Sequence, residues 1–157
     1  MSIKRFNPNP AFTKNAWISS EEQYNNNYNE SIQDPDTFWA KIAKRLHWNK
    51  KWSSVCEFDF VNANIKWFEG GKLNVSVNCL DRHVEAGNGE KTAIIWEGND
   101  PNESKHFTFN ELLEKVQRFS NVLRNLGVEK GDRVCLYMQM IPELPIAMLA
   151  CTRIGAV

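Results

Sequence analysis

A chain of 157 residues normally makes one domain, and 42% hydrophobic with 24% charged residues is ordinary for a soluble globular protein. Nineteen basic and nineteen acidic side chains cancel, so no field of one sign draws nucleic acid or an anionic membrane. No apolar run reaches the roughly 18 residues of a bilayer-spanning helix, and the polar, Asn-rich start after Met1 is not read as a secretory signal.

Residues 1–19 carry Pro8, Pro10 and several Asn and read as an extended arm, with Trp17 and Ile18 placed to staple it to the next segment. Ser20-Glu-Glu-Gln23 fits a capping box and predicts a helix over 21–31. Asp34-Pro35 marks a restart, with Asp as N-cap and Pro in the first helical position. Phe38, Trp39, Ile42, Ala43 and Leu46 then form an apolar stripe at helical spacing.

Residues 48–72 are irregular and aromatic, with Phe58 and Phe60 alternating as in a short strand and Gly70-Gly71 as a turn. Asn74 to Val84 predicts a helix that turns Val75, Cys79, Leu80 and Val84 inward, ended by Gly87-Asn-Gly89. Thr92–Trp96 is a β-branched, apolar strand. The Gly98–Asn102 turn joins it to a second strand over Lys105–Thr108, making a hairpin. Thr108-Phe-Asn-Glu111 is a second capping box, and Leu112, Val116, Phe119, Leu123 and Leu126 behind it repeat with helical period up to Gly127. Lys130-Gly131-Asp132 is a turn, and Arg133–Met138 reads as a buried strand.

The last helix starts at Pro142-Glu143, closes at Gly155 and opens into Ala156-Val157, where a parallel α/β unit would continue into a further strand. A helix between core strands implies a crossover and a mixed or parallel sheet. The fold class is therefore α/β: a helical, aromatic cap over 20–88, then the first strand–helix units of a larger domain over 89–157. No internal repeat is visible.

The chemistry-bearing residues do not assemble into a motif. Cys79 and His83 lie four apart on one predicted helix face, a spacing that suits a metal, but no second pair supplies the other ligands. Asp81, Arg82 and His83 form a polar cluster without a converging acid–base partner; a surface salt bridge or helix-end contact is expected. Gly87-x-Gly89 neither follows a strand nor opens a helix, so it is a turn and not a phosphate cradle. Ser104 and His106 share one face of the hairpin but lack an oxyanion hole and a third group. The aromatic group from Trp39 to Phe68, flanked by Lys50 and Lys51, reads as packing of a cap, given the balanced charge. The four cysteines, Cys56, Cys79, Cys135 and Cys151, include no C-x-x-C pair. They are expected as reduced thiols of a cytoplasmic protein, Cys135 and Cys151 as small hydrophobes in apolar runs. No P-loop, dinucleotide fingerprint, H-E-x-x-H or G-x-S-x-G occurs.

An ordered set of segments nevertheless resembles the N-terminal region of AMP-forming acetyl-coenzyme A synthetases, members of the adenylate-forming superfamily. They are Asp34-Pro-Asp-Thr-Phe-Trp39, Trp67-Phe-Glu-Gly-Gly-Lys-Leu-Asn74, Asn78-Cys-Leu-Asp-Arg-His83 and Thr92-Ala-Ile-Ile-Trp-Glu-Gly98. Gly127-Val-Glu-Lys-Gly-Asp-Arg-Val134, Tyr137-Met-Gln-Met-Ile-Pro-Glu143 and Ala147–Val157 complete the set. Propionyl-coenzyme A synthetases share much of it; Ile94-Ile-Trp-Glu-Gly98 looks more like the acetate enzymes.

The resemblance implies a parent ligase that joins acetate to coenzyme A through acetyl-adenylate, using ATP, magnesium and coenzyme A. It also implies that the phosphate loop, acetate pocket, adenine segment and lid lysine lie downstream of position 157. It therefore assigns no catalytic, cofactor-binding or metal residue to this chain. The 157 residues alone are expected to be inactive, to bind no cofactor, and to have the remainder of the parent chain as partner. An unpaired sheet edge at Arg133–Met138 implies self-association. Propionate or acetoacetate as substrate, and a non-catalytic interaction module, are the alternatives.

Overall fold

A computed structural model describes residues 6–100 and 102–157. The start of the expected arm, and Pro101 within the expected hairpin turn, lie outside the described residues. Helices and strands mix along the chain, an α/β composition. They fall into two compact units: residues 6–45 with 53–69, and residues 46–52 with 70–157.

In the first unit the arm carries one helical turn, α1 (Pro10–Thr13), which Asn9 caps by accepting from the Ala11 N–H at 2.9 Å. The expected staple does not form, for the Trp17 ring is exposed and its carbonyl instead accepts from Gln23 Nε2 at 3.2 Å. Helix α2 (Glu21–Gln33) starts where Ser20 Oγ accepts from the Gln23 N–H. The return bond of the capping box is shifted by one residue: Gln23 Oε1 accepts from the Ser19 N–H at 2.9 Å. No residue of α2 is buried, as its Asn- and Glu-rich sequence dictates. Helix α3 (Pro35–Ala43) begins as the sequence signals, with Asp34 Oδ1 accepting from the Thr37 N–H at 3.1 Å and Pro35 in the first turn.

The stretch expected to be largely irregular is instead a hairpin. Strand β1 (Ser54–Asp59) pairs antiparallel with β2 (Asn64–Glu69), so that Cys56 faces Trp67 and Phe58 faces Ile65. Asp59 closes the turn by accepting from the N–H groups of Val61 and Asn62. Trp39 of α3 meets Trp67 of β2 edge-on at 5.9 Å, a geometry that aromatic rings favour.

The second unit opens with Leu46–Trp52, which bonds to Lys72 through the backbone of Asn49 and Lys50. The expected helix after Asn74 forms, but with a different pitch. Residues 77–81 make a π-helix (Val77–Asp81), and a second wide turn over Val84–Asn88 coincides with Gly87 at φ 79°. Because the wide turn changes the angular spacing of side chains, the buried residues are Ser76, Asn78 and Leu80, while Val75 and Cys79 are exposed. The inward placement of Val75 and Cys79 is thus corrected; that of Leu80 holds.

Strands β3 (Thr92–Glu97) and β4 (Ser104–Thr108) form the expected antiparallel hairpin, with a register irregularity between Thr92 and Ile94. Helix α4 (Phe109–Asn125) begins at a complete capping box: Thr108 Oγ1 accepts from the Glu111 N–H at 3.2 Å and Glu111 Oε2 accepts from the Thr108 N–H at 2.8 Å. It packs along α5 (Glu143–Ile154), which Gly155 ends at φ 81°. Leu112, Val116 and Leu123 of α4 meet Ile146, Ala150 and Cys151 of α5, with Leu80 joining this core from the π-helix. Leu126, expected on the same stripe, is exposed.

Three sequence expectations fail at or around Arg133–Met138. The segment is extended but belongs to neither sheet, and the sheets formed by the described residues are two antiparallel hairpins with no parallel strand. Cys135 is exposed, not a core thiol. The physical reason is the lack of a neighbour to complete a ladder. The Val157 N–H donates to the Asp132 carbonyl at 2.7 Å and the Val134 N–H to the Val157 carbonyl at 2.8 Å. That pair of bonds opens a parallel ladder and goes no further among the described residues.

Candidate functional site

A cluster of polar side chains lies where the π-helix meets the end of α5. Asp81 and Arg153 form a two-pronged ion pair, Nη1 to Oδ2 at 2.8 Å and Nη2 to Oδ1 at 2.9 Å. The paired guanidinium pulls the Asp81 carboxyl below its ordinary value against the opposing pull of burial, and the carboxylate raises Arg153 in turn. Buried Ser76 sits 3.5 Å from the same guanidinium.

Two asparagines extend the arrangement. Asn74 Oδ1 accepts from the Val77 N–H, while its Nδ2 donates to the carbonyls of Thr152 and Arg153 at 3.3 and 3.0 Å. One side chain therefore satisfies the start of the π-helix and the Arg153 carbonyl at the end of α5, and it adds a second donor to the Thr152 carbonyl, which also accepts from the Gly155 N–H at 3.3 Å. Asn78, buried, accepts from the His47 N–H at 2.7 Å and donates to the His47 carbonyl at 2.9 Å, fixing the segment 46–52. These contacts orient backbone; none presents an activated nucleophile or a base.

The expected surface salt bridge or helix-end contact at the Asp81 cluster is met in part: Asp81 does form a salt bridge, but a largely buried one, to a partner 72 residues away in the last turn of α5. The available signal was Arg153 itself, a charge in the last turn of an apolar helix. Arg82 donates Nε to the Asn78 carbonyl at 2.6 Å, and His83 packs on the Phe109 ring at 5.0 Å. Cys79 is exposed, and the described residues contain no group of three His, Cys, Asp or Glu side chains able to hold a metal. Ser104 and His106 stand opposite Glu97 and Ile95 in the hairpin, exposed, and are not brought to any third group. Gly87 and Gly89 lie at the helix end as a turn. The aromatic group divides: Trp39, Phe58, Phe60, Trp67 and Phe68 belong to the first unit, Trp48 and Trp52 to the second.

Two open grooves border α4. One, about 900 Å³, is lined by Gln117, Asn121, Arg124, Lys130 and Arg153 among others. The second, about 610 Å³, has apolar walls from Phe119, Val122, Leu136, Met138, Ile146 and Ala147 and a charged rim. The cations of the first face the C-terminal end of α4, whose carbonyl dipoles oppose an anion, and its Arg153 is already engaged by Asp81.

Comparison with known proteins defines the class. Residues 80–157 match the family described as AMP-binding enzyme, and that stretch of the chain belongs to it. More particularly, residues 24–79 match the acetyl-coenzyme A synthetase N-terminus, so the two matches run without a gap from 24 to 157. The junction at 79–80 falls inside the π-helix. Over 150 residues the chain is 54% identical to the acetyl-coenzyme A synthetase of Leptospira biflexa serovar Patoc, covering 96% of this chain and 23% of that protein. It is 53% identical over 156 residues to the acetyl-coenzyme A synthetase of Magnetococcus marinus, covering 99% and 24%. It is 50% identical over 155 residues to acetyl-coenzyme A synthetase 2 of Pseudomonas putida, with the same coverage of 99% and 24%. The chain thus spans about a quarter of the length of the curated relatives it matches.

Proposed function

We propose that these residues are the N-terminal part of an AMP-forming acetate–coenzyme A ligase. The observation that carries the reading is the unbroken succession of the two family matches over 24–157, at about half identity to relatives of that name. In the proposed reaction an acetate oxygen attacks the α-phosphorus of ATP and pyrophosphate leaves. The coenzyme A thiolate then attacks the acyl carbon of acetyl-adenylate, forming the thioester and releasing AMP.

The residues present do not fit the small-molecule sites this chemistry needs. The described residues gather no set of carboxylates for magnesium, and the helix-end carbonyls beside the basic groove on α4 oppose phosphate. No residue of this chain is therefore assigned to acetate, ATP, magnesium or coenzyme A. Its contribution is structural: an arm (1–19), a cap region (20–88) and the first units of the AMP-binding domain (89–157), in a cytoplasmic enzyme. No described helix is long and apolar enough to cross a membrane.

Acid-dependent exchange of pyrophosphate into ATP tests the reading. The longer protein that contains this chain is expected to exchange with acetate faster than with propionate or acetoacetate. The 157 residues alone are expected to show none. A preference for propionate would move the assignment to the sister ligases, and no acid-dependent exchange at all would refute it.

A further inference from the structure

Residues 75–88 fold against their own apolar pattern. Val75 is 48% exposed and Cys79 is exposed, while Ser76 and Asn78 are 0% and 7% exposed. A local pattern and a tertiary placement that disagree mark a segment with a competing arrangement.

The geometry of the wide turn shows what the competitor is. The Arg82 N–H points to the carbonyls of Leu80 and of Val77, the latter five residues back, and passes over that of Asn78. The Asn78 carbonyl, which an α-turn would give to that N–H, accepts instead from Arg82 Nε at 2.6 Å. A π-turn holds one residue more than an α-turn, and such turns are rare outside single bulges in α-helices. The downstream end is pinned by the Asp81–Arg153 pair. Closing the turn with that end fixed moves each residue ahead of it one place along. Val77 then takes the buried position of Ser76, and Cys79 that of Asn78. Holding the wide form against this gain in apolar burial are the Arg82 Nε bond, the bonds from Asn78 to His47, and those that tie Asn74 to the Val77 N–H and to the end of α5.

We propose that this helix has two registers: a wide one that the Arg82 guanidinium keeps open by occupying the Asn78 carbonyl, and an α-helical one in which Val77 and Cys79 face the interior. The device is a one-residue switch at the junction of the two matched family regions, and Cys79 reports its position.

Alkylation of the folded 157-residue chain with iodoacetamide, read cysteine by cysteine through peptide mass spectrometry, tests it. Cys151 is the internal standard for an intact core: it is buried, and burial pushes its thiol up. Arg82→Met keeps the bulk of the side chain and removes the donor. It is expected to slow Cys79 about fivefold or more, a change that the loss of the charged Nε bond to the Asn78 carbonyl is large enough to produce, while Cys151 stays slow. Arg82→Gln carries an amide nitrogen as many bonds from the backbone as arginine Nε, and is expected to alkylate like the wild type. An unchanged Cys79 rate in Arg82→Met overturns the proposal. So does a joint rise at Cys79 and Cys151, which would make Arg82 only a stabilising contact, and so does Arg82→Gln behaving like Arg82→Met.

Discussion

Arg153 sits in the last turn of an apolar helix, and its value there depends on one carboxylate. Asp81 and Arg153 are about four-fifths buried as side chains (18% and 23% exposed), so the pair is screened less than a surface bridge. Asp81→Asn is expected to lower stability by about 1–3 kcal/mol, measured by urea unfolding at neutral pH, because a cation stays behind without its partner. The pH dependence has a definite sign. The folded-state pKa of Asp81 lies below its ordinary 3.8. Its contribution is therefore complete above that value and is lost as pH falls from there through the folded pKa. The stability gap between wild type and Asp81→Asn should close on acidification below about pH 4, where the unfolded chain begins to take up the proton. A gap that does not narrow at all between about pH 5 and about pH 2 would show that the carboxylate charge is not what holds the contact. At this scale the residue types were legible in the sequence, but their pairing was not. Nothing in the spacing of positions 81 and 153 says that α5 ends beside the π-helix.

Elements governed by local rules were read well. Capping boxes, a Pro in the first helical turn and a stripe of period 3.6 act within a few residues, so α3, α4 and the β3–β4 hairpin form where the sequence placed them. Thr108 carries half of a reciprocal cap, and Thr108→Ala is expected to cost about 1 kcal/mol. Thermal unfolding would register this as a drop of several degrees in Tm, and no drop would mean that Glu111 alone suffices. Elements that depend on neighbours were read poorly. Trp67 and Phe68 read as part of an irregular aromatic stretch, and only the pairing of Asn64–Glu69 with Ser54–Asp59 places them on a strand. Arg133–Met138 looked like a buried strand because Val134, Leu136 and Met138 alternate, yet a strand exists only through its partner's hydrogen bonds. The π-turn was invisible because periodicity analysis assumes an α pitch, and a single extra residue breaks that assumption.

On the molecular scale, the second unit exposes both backbone and apolar side chains along one stretch. Tyr137 and Met140 are exposed, Met138 is 41% exposed, and the apolar groove beside Leu136 lies open. An extended segment with unpaired backbone groups invites pairing with another chain. The 157-residue chain is expected to self-associate, with a sedimentation coefficient that rises with concentration. A stable monomer at high concentration would count against this.

The amino-acid sequence by itself determined the family, the α/β character and the absence of a recognisable catalytic motif, because these rest on ordered segments and on residue types. Tertiary structure alone decided which residues meet: Asp81 with Arg153, Asn78 with His47, and Ser76 in the interior where Val75 was expected. The reason is that such pairings are set by long-range geometry, in which a shift of one residue in a helical turn changes every side chain that faces the core.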